Sequence, residues 1–171
     1  KAGGPGVTTT DEIVTGGGQL AKISPEAMAE YNSFLPGAWS HNNPVDVLGD
    51  APPAMYAKAL KVAGDDKESD GMLVILTPQS VTKPTETAEE LAKYAHIEGK
   101  PVMASWMGGK DLEKGRAILR DSGIPVFDSP DMAAKIFNYC WAYSSNKEQM
   151  YEEPKAPLHA ADPSGAKQII G

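Results

Sequence analysis

The sequence of 171 residues has few of the side chains that build disulfides or metal sites. Its single cysteine, Cys140, excludes an intrachain disulfide and a cysteine-based zinc cluster. The three histidines, His41, His96 and His159, are scattered, with no Cys, Asp or Glu at metal-ligand spacing. We therefore predict no metal site, and we expect a reducing, cytoplasmic compartment.

Basic charge and long apolar runs are also scarce. The chain carries 16 Lys and Arg against 23 Asp and Glu, a net charge of -7, which argues against a nucleic-acid partner because duplex binding needs a basic face. A single anion can still be held by backbone dipoles. No stretch approaches the roughly 18 apolar residues of a membrane span, and no secretory signal is visible, so we predict neither a membrane partner nor export.

Glycine is concentrated at the start of the chain, in Ala2-Gly3-Gly4-Pro5-Gly6-Val7. We predict a turn with little steric cover, followed by a helix to Thr15 that ends at Gly16-Gly17-Gly18. Such a turn directs free N–H groups at an anion, so we predict a phosphate-binding segment; an ordinary tight loop is the alternative. The predicted phosphate-binding residues are Gly3, Gly4, Pro5, Gly6 and Val7. We expect the strand that normally precedes such a turn to lie upstream of Lys1.

The rest of the chain alternates helices with apolar strands. Met72–Leu76 is a continuous apolar run, typical of a strand buried on both faces of a parallel sheet, with Leu73, Val74, Ile75 and Val102 expected at its centre. We predict a flavodoxin-like open parallel sheet with helices on both faces. The predicted helices cover Ser24–Phe34 with Ser24 as N-cap, Pro52–Ala63, a segment bearing Ala88, Leu91, Ala92 and Ala95, Asp111–Asp121, and a last helix from Ser129; the further strands are Pro101–Ser105 and Ile124–Phe127.

The last helix carries an apolar stripe, and a loop precedes the first strand. On the stripe we interpret Cys140 as a buried small hydrophobic residue, with Ala133, Ile136, Phe137 and Trp141 beside it. In the loop we interpret His41 as a loop-bonded histidine, with phosphate chemistry as the alternative.

Ligands of such sheets bind beyond the carboxyl ends of the strands, where the connecting loops meet. The supporting loop residues predicted there are Asn43, Asp46, Gly49, Thr77 and Gly108. Asp46 has the alternative of a turn-forming residue bonded to its own backbone, and Gly108 that of a plain strand-to-helix connection.

Several segments together resemble a known family, the NDP-forming acyl-CoA synthetases, which include ADP-forming acetyl-CoA synthetase and succinyl-CoA synthetase. The segments are Ala-Gly-Gly-Pro-Gly-Val, the Leu35-Pro36 and Asn43-Pro44-Val45-Asp46 loop, Asp70–Pro78, Lys100-Pro101-Val102 and Gly123-Ile124-Pro125-Val126. They occur in the family's order across residues 2–142, and the chain resembles the C-terminal CoA-ligase subdomain. We predict that subdomain over residues 1–145, and over residues 146–171 a linker and the start of a following ATP-grasp region.

The resemblance implies an acid–thiol ligase that makes acyl-CoA from a carboxylic acid, CoA and a nucleoside triphosphate through a phosphohistidine. The family's Ser-His-Thr-Gly motif does not occur in this sequence, so we expect no catalytic residue within the chain. ATP or ADP, Mg and CoA are implied for the complete, oligomeric enzyme, and none of them for the fragment alone. The implied partners are a phosphohistidine-bearing domain and an ATP-grasp domain. The alternative is a non-catalytic docking or regulatory module, for example within a protein acyltransferase.

Overall fold

A computed structural model describes residues 3–151 of the chain. In this range no helix is long and apolar enough to cross a membrane. The elements, in chain order, are α1 (Gly3–Thr15), α2 (Pro25–Phe34), α3 (Pro53–Asp65), β1 (Met72–Leu76), α4 (Pro84–Ala92), β2 (Val102–Trp106), a 3-10 turn (Lys110–Leu112), α5 (Glu113–Asp121), β3 (Val126–Phe127) and α6 (Pro130–Tyr151).

The three described strands form one parallel sheet in the order β1-β2-β3, which confirms the predicted open α/β architecture. Every residue of β2 is buried, including Val102 as predicted. The prediction was wrong for Leu73, Val74 and Ile75 of β1, which are only half-buried. Within residues 3–151, β2 is the only strand that pairs with β1, so β1 borders the sheet while β2 is enclosed by neighbours.

Helices cover both faces of the sheet, as predicted. Because side chains alternate along a strand, Val102, Ala104 and Trp106 share one face, and they join a core with α3, α4 and α5. On the opposite face, Met103 lines a cleft together with residues of α1 and α6. The sheet is therefore sandwiched between two helical layers, and its strand ends are left to the connecting loops.

Local sequence signals explain where most helices begin. The hydroxyl of Ser24 accepts a hydrogen bond from the N–H of Ala27 at 3.1 Å, and Pro25 occupies the first helical position, which confirms the predicted N-cap of α2. The helix predicted to include Ala95 was too long at its C-terminus. α4 stops at Ala92, and in the turn that follows the N–H of Ala95 donates to the carbonyl of Ala92 at 3.3 Å.

The buried face of α6 differs from the predicted apolar stripe. Cys140 and Trp141 are exposed, whereas Ala133, Ala134 and Asn138 are buried. Asn138 lies on the inner face because its Nδ2 donates to the carbonyls of Glu12 and Ile13, at 3.2 and 3.3 Å, in the last turn of α1. Gly17, with φ +89°, ends α1 as predicted.

The described residues fall into two units, one that ends at Trp141 and one that begins at Ala142. The second is described only through the end of α6, which continues to Tyr151 and so into the segment predicted as a linker. The predicted boundary at residues 145–146 stays a prediction, and the predicted start of an ATP-grasp region lies outside the described residues.

Candidate functional site

α1 lies beside β1, and residues of the two elements line one cleft. At the carboxyl end of α1, Asn138 bonds the last turn, and its neighbour Phe137 packs beside Gly71, immediately before β1 begins. α1 therefore ends near the amino end of β1. Gly6, in the first turn of α1, lines the same cleft as Ile75 of β1.

The glycine-rich segment is the first turn of α1 itself, since the helix already begins at Gly3. This corrects the prediction of a separate turn before the helix. The first N–H groups of a helix have no partner within it, and Pro5 has no N–H to leave unpaired. Of the five predicted residues, Gly6 is buried, Val7 is 59% exposed, and Gly3 and Gly4 are exposed.

Gly3 and Gly4 have open space around them. Apart from its chain neighbours and the helix's own backbone, a Cβ built on either residue lies within 4 Å of no heavy atom of residues 3–151, and neither residue has a positive φ. Neither packing nor backbone conformation within residues 3–151 therefore requires glycine at these two positions. Glycine also has a lower helix propensity than alanine, so forming the helix does not call for glycine here.

Three loops meet at the carboxyl edge of the sheet. Gly49 packs directly against the side chain of Gln79, which follows β1. A Cβ on Gly108, in the loop after β2, would lie 3.2 Å from the Pro78 ring and 2.6 Å from Leu112. Gly108 has φ +155°, so this turn is tight and favours glycine. The structure thus brings Gly49 and Gly108 to the loop that contains Thr77, while their role as supporting residues of a phosphate site stays a prediction.

The side chains of Asn43 and Asp46 bond backbone groups, unlike Gly49 and Gly108, which pack against the loop that contains Thr77. Asn43 donates through Nδ2 to the carbonyl of Ala21 at 3.0 Å, and it lines the clefts beside β1. Asp46 Oδ1 accepts from the N–H of Leu48 at 3.0 Å, which is the turn-forming alternative. Burial, together with the Asp46 carboxylate, raises the pKa of Tyr56 to about 12, so this phenol stays neutral.

His41 is a loop-bonded histidine. The centroid of its ring lies 4.6 Å from that of the Trp39 ring, and its Nε2 is 3.1 Å from the carbonyl oxygen of Gly37. The residue has φ 50°, a left-handed conformation set by the loop. These contacts agree with the loop interpretation and give His41 a structural task.

Arg116 is a polar residue at the carboxyl edge that the sequence reasoning missed. Its guanidinium, only 10% exposed, donates to the carbonyls of Trp106 and Gly108 at the end of β2. The signal was present in the sequence, since Arg116 shares the inward face of α5 with Leu112 and Leu119 at helical spacing. A charged residue on such a face needs polar partners when it is buried.

No group of three or more His, Cys, Asp or Glu able to hold a metal occurs among residues 3–151. At a helix amino terminus such as that of α1, the first backbone N–H groups have no partner within the helix, and the positive end of the helix dipole lies there.

Comparison with known proteins gives consistent matches. The sequence profile of the Ligase-CoA domain family matches residues 1–148. The chain is similar to an ADP-forming acetate–CoA ligase I of Archaeoglobus fulgidus, 34% identical over 155 residues, and to the alpha subunit of an ADP-forming acetate–CoA ligase II of Pyrococcus furiosus, 36% identical over 142 residues. These alignments cover 90% and 80% of this chain, but only 22% and 31% of the relatives.

A solved structure shows the same fold. The dinucleotide-forming acetyl-coenzyme A synthetase 1 of Ca. Korarchaeum cryptofilum, in complex with phosphate and ADP, superposes with a TM-score of 0.78 at 26% identity. The match covers 89% of this chain and 34% of the other. The chain thus spans between a fifth and about a third of the relatives it matches.

Proposed function

Because this chain belongs to the Ligase-CoA domain family, we propose that it works as one domain of an ADP-forming acyl-CoA ligase. In the proposed reaction a carboxylic acid, CoA and ATP yield acyl-CoA, ADP and phosphate. We further propose that the first turn of α1, Gly3–Val7, holds the phosphoryl group of a phosphohistidine supplied by another domain or subunit. The supporting loops are those of Asn43, Asp46, Gly49, Thr77 and Gly108.

One observation carries this proposal: among the described residues, the exposed glycines at the start of α1 have no packing partner where a side chain would begin. A Cβ on Gly3 or Gly4 would meet no described heavy atom beyond the helix's own backbone, and neither residue adopts a positive φ. Helix propensity therefore does not explain glycine at these two positions either. A bare backbone at this place is explained if a bulky anion must approach the N–H groups closely.

The chemistry suits a transferred phosphoryl group. A helix N-terminus presents unpaired N–H groups and roughly half a positive charge, without the entropy cost of fixing long side chains. Preorganised donors of this kind stabilise a charged intermediate as it forms. ATP or ADP, Mg and CoA are assigned to the complete enzyme, and this chain contributes no catalytic side chain.

A substitution at Gly4 in the full-length protein tests the site. Gly4→Val places a branched side chain over the first turn, and the space around it lets the helix fold unchanged. Losing one such donor typically costs a factor of about 10²–10³ in rate. We therefore expect normal folding, with phosphoenzyme formation and turnover reduced by about that factor, measured with radiolabelled ATP and by ADP release.

The matched control is Gly37→Val, because Gly37 also has open space and lies in the loop after α2. The exposed substitution Lys93→Ala serves as a second control. Both should leave turnover unchanged. If Gly4→Val kept phosphoenzyme level and turnover within about twofold of wild type, the segment would be only a helix start. A folded wild-type protein without ligase activity would favour the docking-module alternative.

A further inference from the structure

One buried cation, the guanidinium of Arg116, bonds the loop that follows β2. Arg116, on α5, donates through Nη2 to the carbonyl of Trp106 at 2.7 Å and to that of Gly108 at 3.0 Å, and through Nε to Trp106 again at 3.2 Å. We propose that Arg116 is a positioning residue for phosphoryl transfer: it fixes the Trp106–Gly109 turn at the carboxyl edge. This inference rests on the proposed function.

The shape of the side chain matters as much as its charge. A guanidinium is planar and presents its N–H donors in a fixed fork, so one group reaches the carbonyls of Trp106 and Gly108, two positions apart in the turn. Hydrogen bonds from a charged donor are roughly twice as strong as those from a neutral donor. A lysine at the same place keeps the charge, but it cannot reproduce the fork.

Two carboxylates near the guanidinium balance the charge of Arg116. Its Nη1 lies 2.6 Å from the Glu113 carboxylate, and its Nη2 lies 3.4 Å from that of Asp128. Both carboxylates are more than half exposed, so they remain solvated while the guanidinium is only 10% exposed. Because the two carboxylates balance its charge, the Arg116 guanidinium can be buried beside the loop, where its other donors bond the loop carbonyls.

The contacts continue from this turn to the other loops of the edge. Gly108 packs against Pro78, whose neighbour Gln79 packs against Gly49. The N–H of Met107 also donates to the carbonyl of Leu76 at 3.0 Å, which ties the turn to the end of β1. A shift of the turn would therefore move the loops on either side of β1, and misplacing a reacting group by about 1 Å can cost about 10²-fold in rate.

Two substitutions in the full-length protein test the proposal, with one matched control. Arg116→Met keeps much of the volume and removes the donors, and Arg116→Lys keeps the charge without the fork. The control is Arg120→Met, since Arg120 is exposed one turn further along α5. Amide hydrogen exchange of the segment 107–110 reports the turn directly. We expect faster exchange in both Arg116 variants and wild-type exchange in the control.

Activity separates positioning from simple stability. At a temperature where all variants are fully folded, we expect kcat to fall about 10- to 100-fold in Arg116→Met and less in Arg116→Lys, with KM for the carboxylic acid unchanged. Unchanged exchange in both Arg116 variants would overturn the proposal, and so would faster exchange with kcat within twofold of wild type. A wild-type protein that forms no phosphoenzyme would instead overturn the proposed function. Loss of folding in Arg116→Met leaves Arg116→Lys as the deciding variant.

Discussion

The junction between α1 and α6 gives a prediction whose size can be worked from the structure. Asn138 Nδ2 donates to the carbonyls of Glu12 and Ile13 at 3.2 and 3.3 Å, and its Oδ1 is buried without a partner among the described residues. Both carbonyls keep a second bond, from the N–H groups of Gly16 and Gly18 respectively. Asn138→Ala therefore removes two bonds and leaves no carbonyl unsatisfied.

The expected cost of Asn138→Ala is modest. Two neutral hydrogen bonds contribute about 1–3 kcal/mol together, and alanine regains about 0.5 kcal/mol of helix propensity. Removing the unpaired Oδ1 lowers the cost further, so we expect a net loss of about 1 kcal/mol. Asn138→Asp has the same shape but turns a donor into a carboxylate oxygen facing two carbonyls. We expect it to cost at least about 2 kcal/mol more at neutral pH.

Urea unfolding of the 171-residue chain, followed by tryptophan fluorescence, measures both substitutions. With a slope of about 2 kcal/mol per molar, the midpoint should fall by about 0.5 M for alanine and by about 1.5 M for aspartate. The control is Asn146→Ala, at an exposed position of the same helix with the same change in propensity. The new carboxylate has a raised pKa in the folded state, so its penalty should shrink as the pH falls. Equal midpoints for the alanine and aspartate variants would refute the reasoning.

Two further predictions concern activity and acid stability. The 171-residue chain alone should release no ADP from ATP, acid and CoA, because it carries neither the phosphorylatable motif nor a nucleotide-binding domain that the resemblance implies; steady ADP production would contradict this. Burial tends to raise the pKa of Asp66, but hydrogen bonds from the N–H groups of Ser24 and Glu68, with Lys100 nearby, hold it below its usual value. Its carboxylate therefore stabilises the fold above about pH 4, and this stabilisation is lost as the pH falls through the lowered pKa. Asp66→Asn should lower the urea midpoint at pH 7, with a difference from wild type that shrinks as the pH falls through the lowered pKa; a difference independent of pH would show that Asp66 has another role.

Local patterns were enough to predict much of this fold. The apolar run Met72–Leu76 and the segment ending at Trp106 became parallel strands, and Ser24-Pro25 began α2. These features depend on neighbours within a few positions, so the sequence displays them directly. The sequence also predicted that the loops bearing Thr77 and Gly108 meet at one edge, because carboxyl ends of parallel strands share an edge. The contact of Gly49 with Gln79 beside them came from the tertiary structure.

Side-chain roles that depend on distant partners were decided only by the tertiary structure. Asn138 faces inward because its amide bonds carbonyls in the last turn of α1, more than a hundred positions away in the chain. With Asn138 on the inner face of α6, Cys140 is exposed. Arg116 is buried because two loop carbonyls accept its donors. Hydrophobic periodicity assigns such positions by apolarity alone. It therefore cannot identify a polar residue that is buried because groups of another element supply its hydrogen-bond partners.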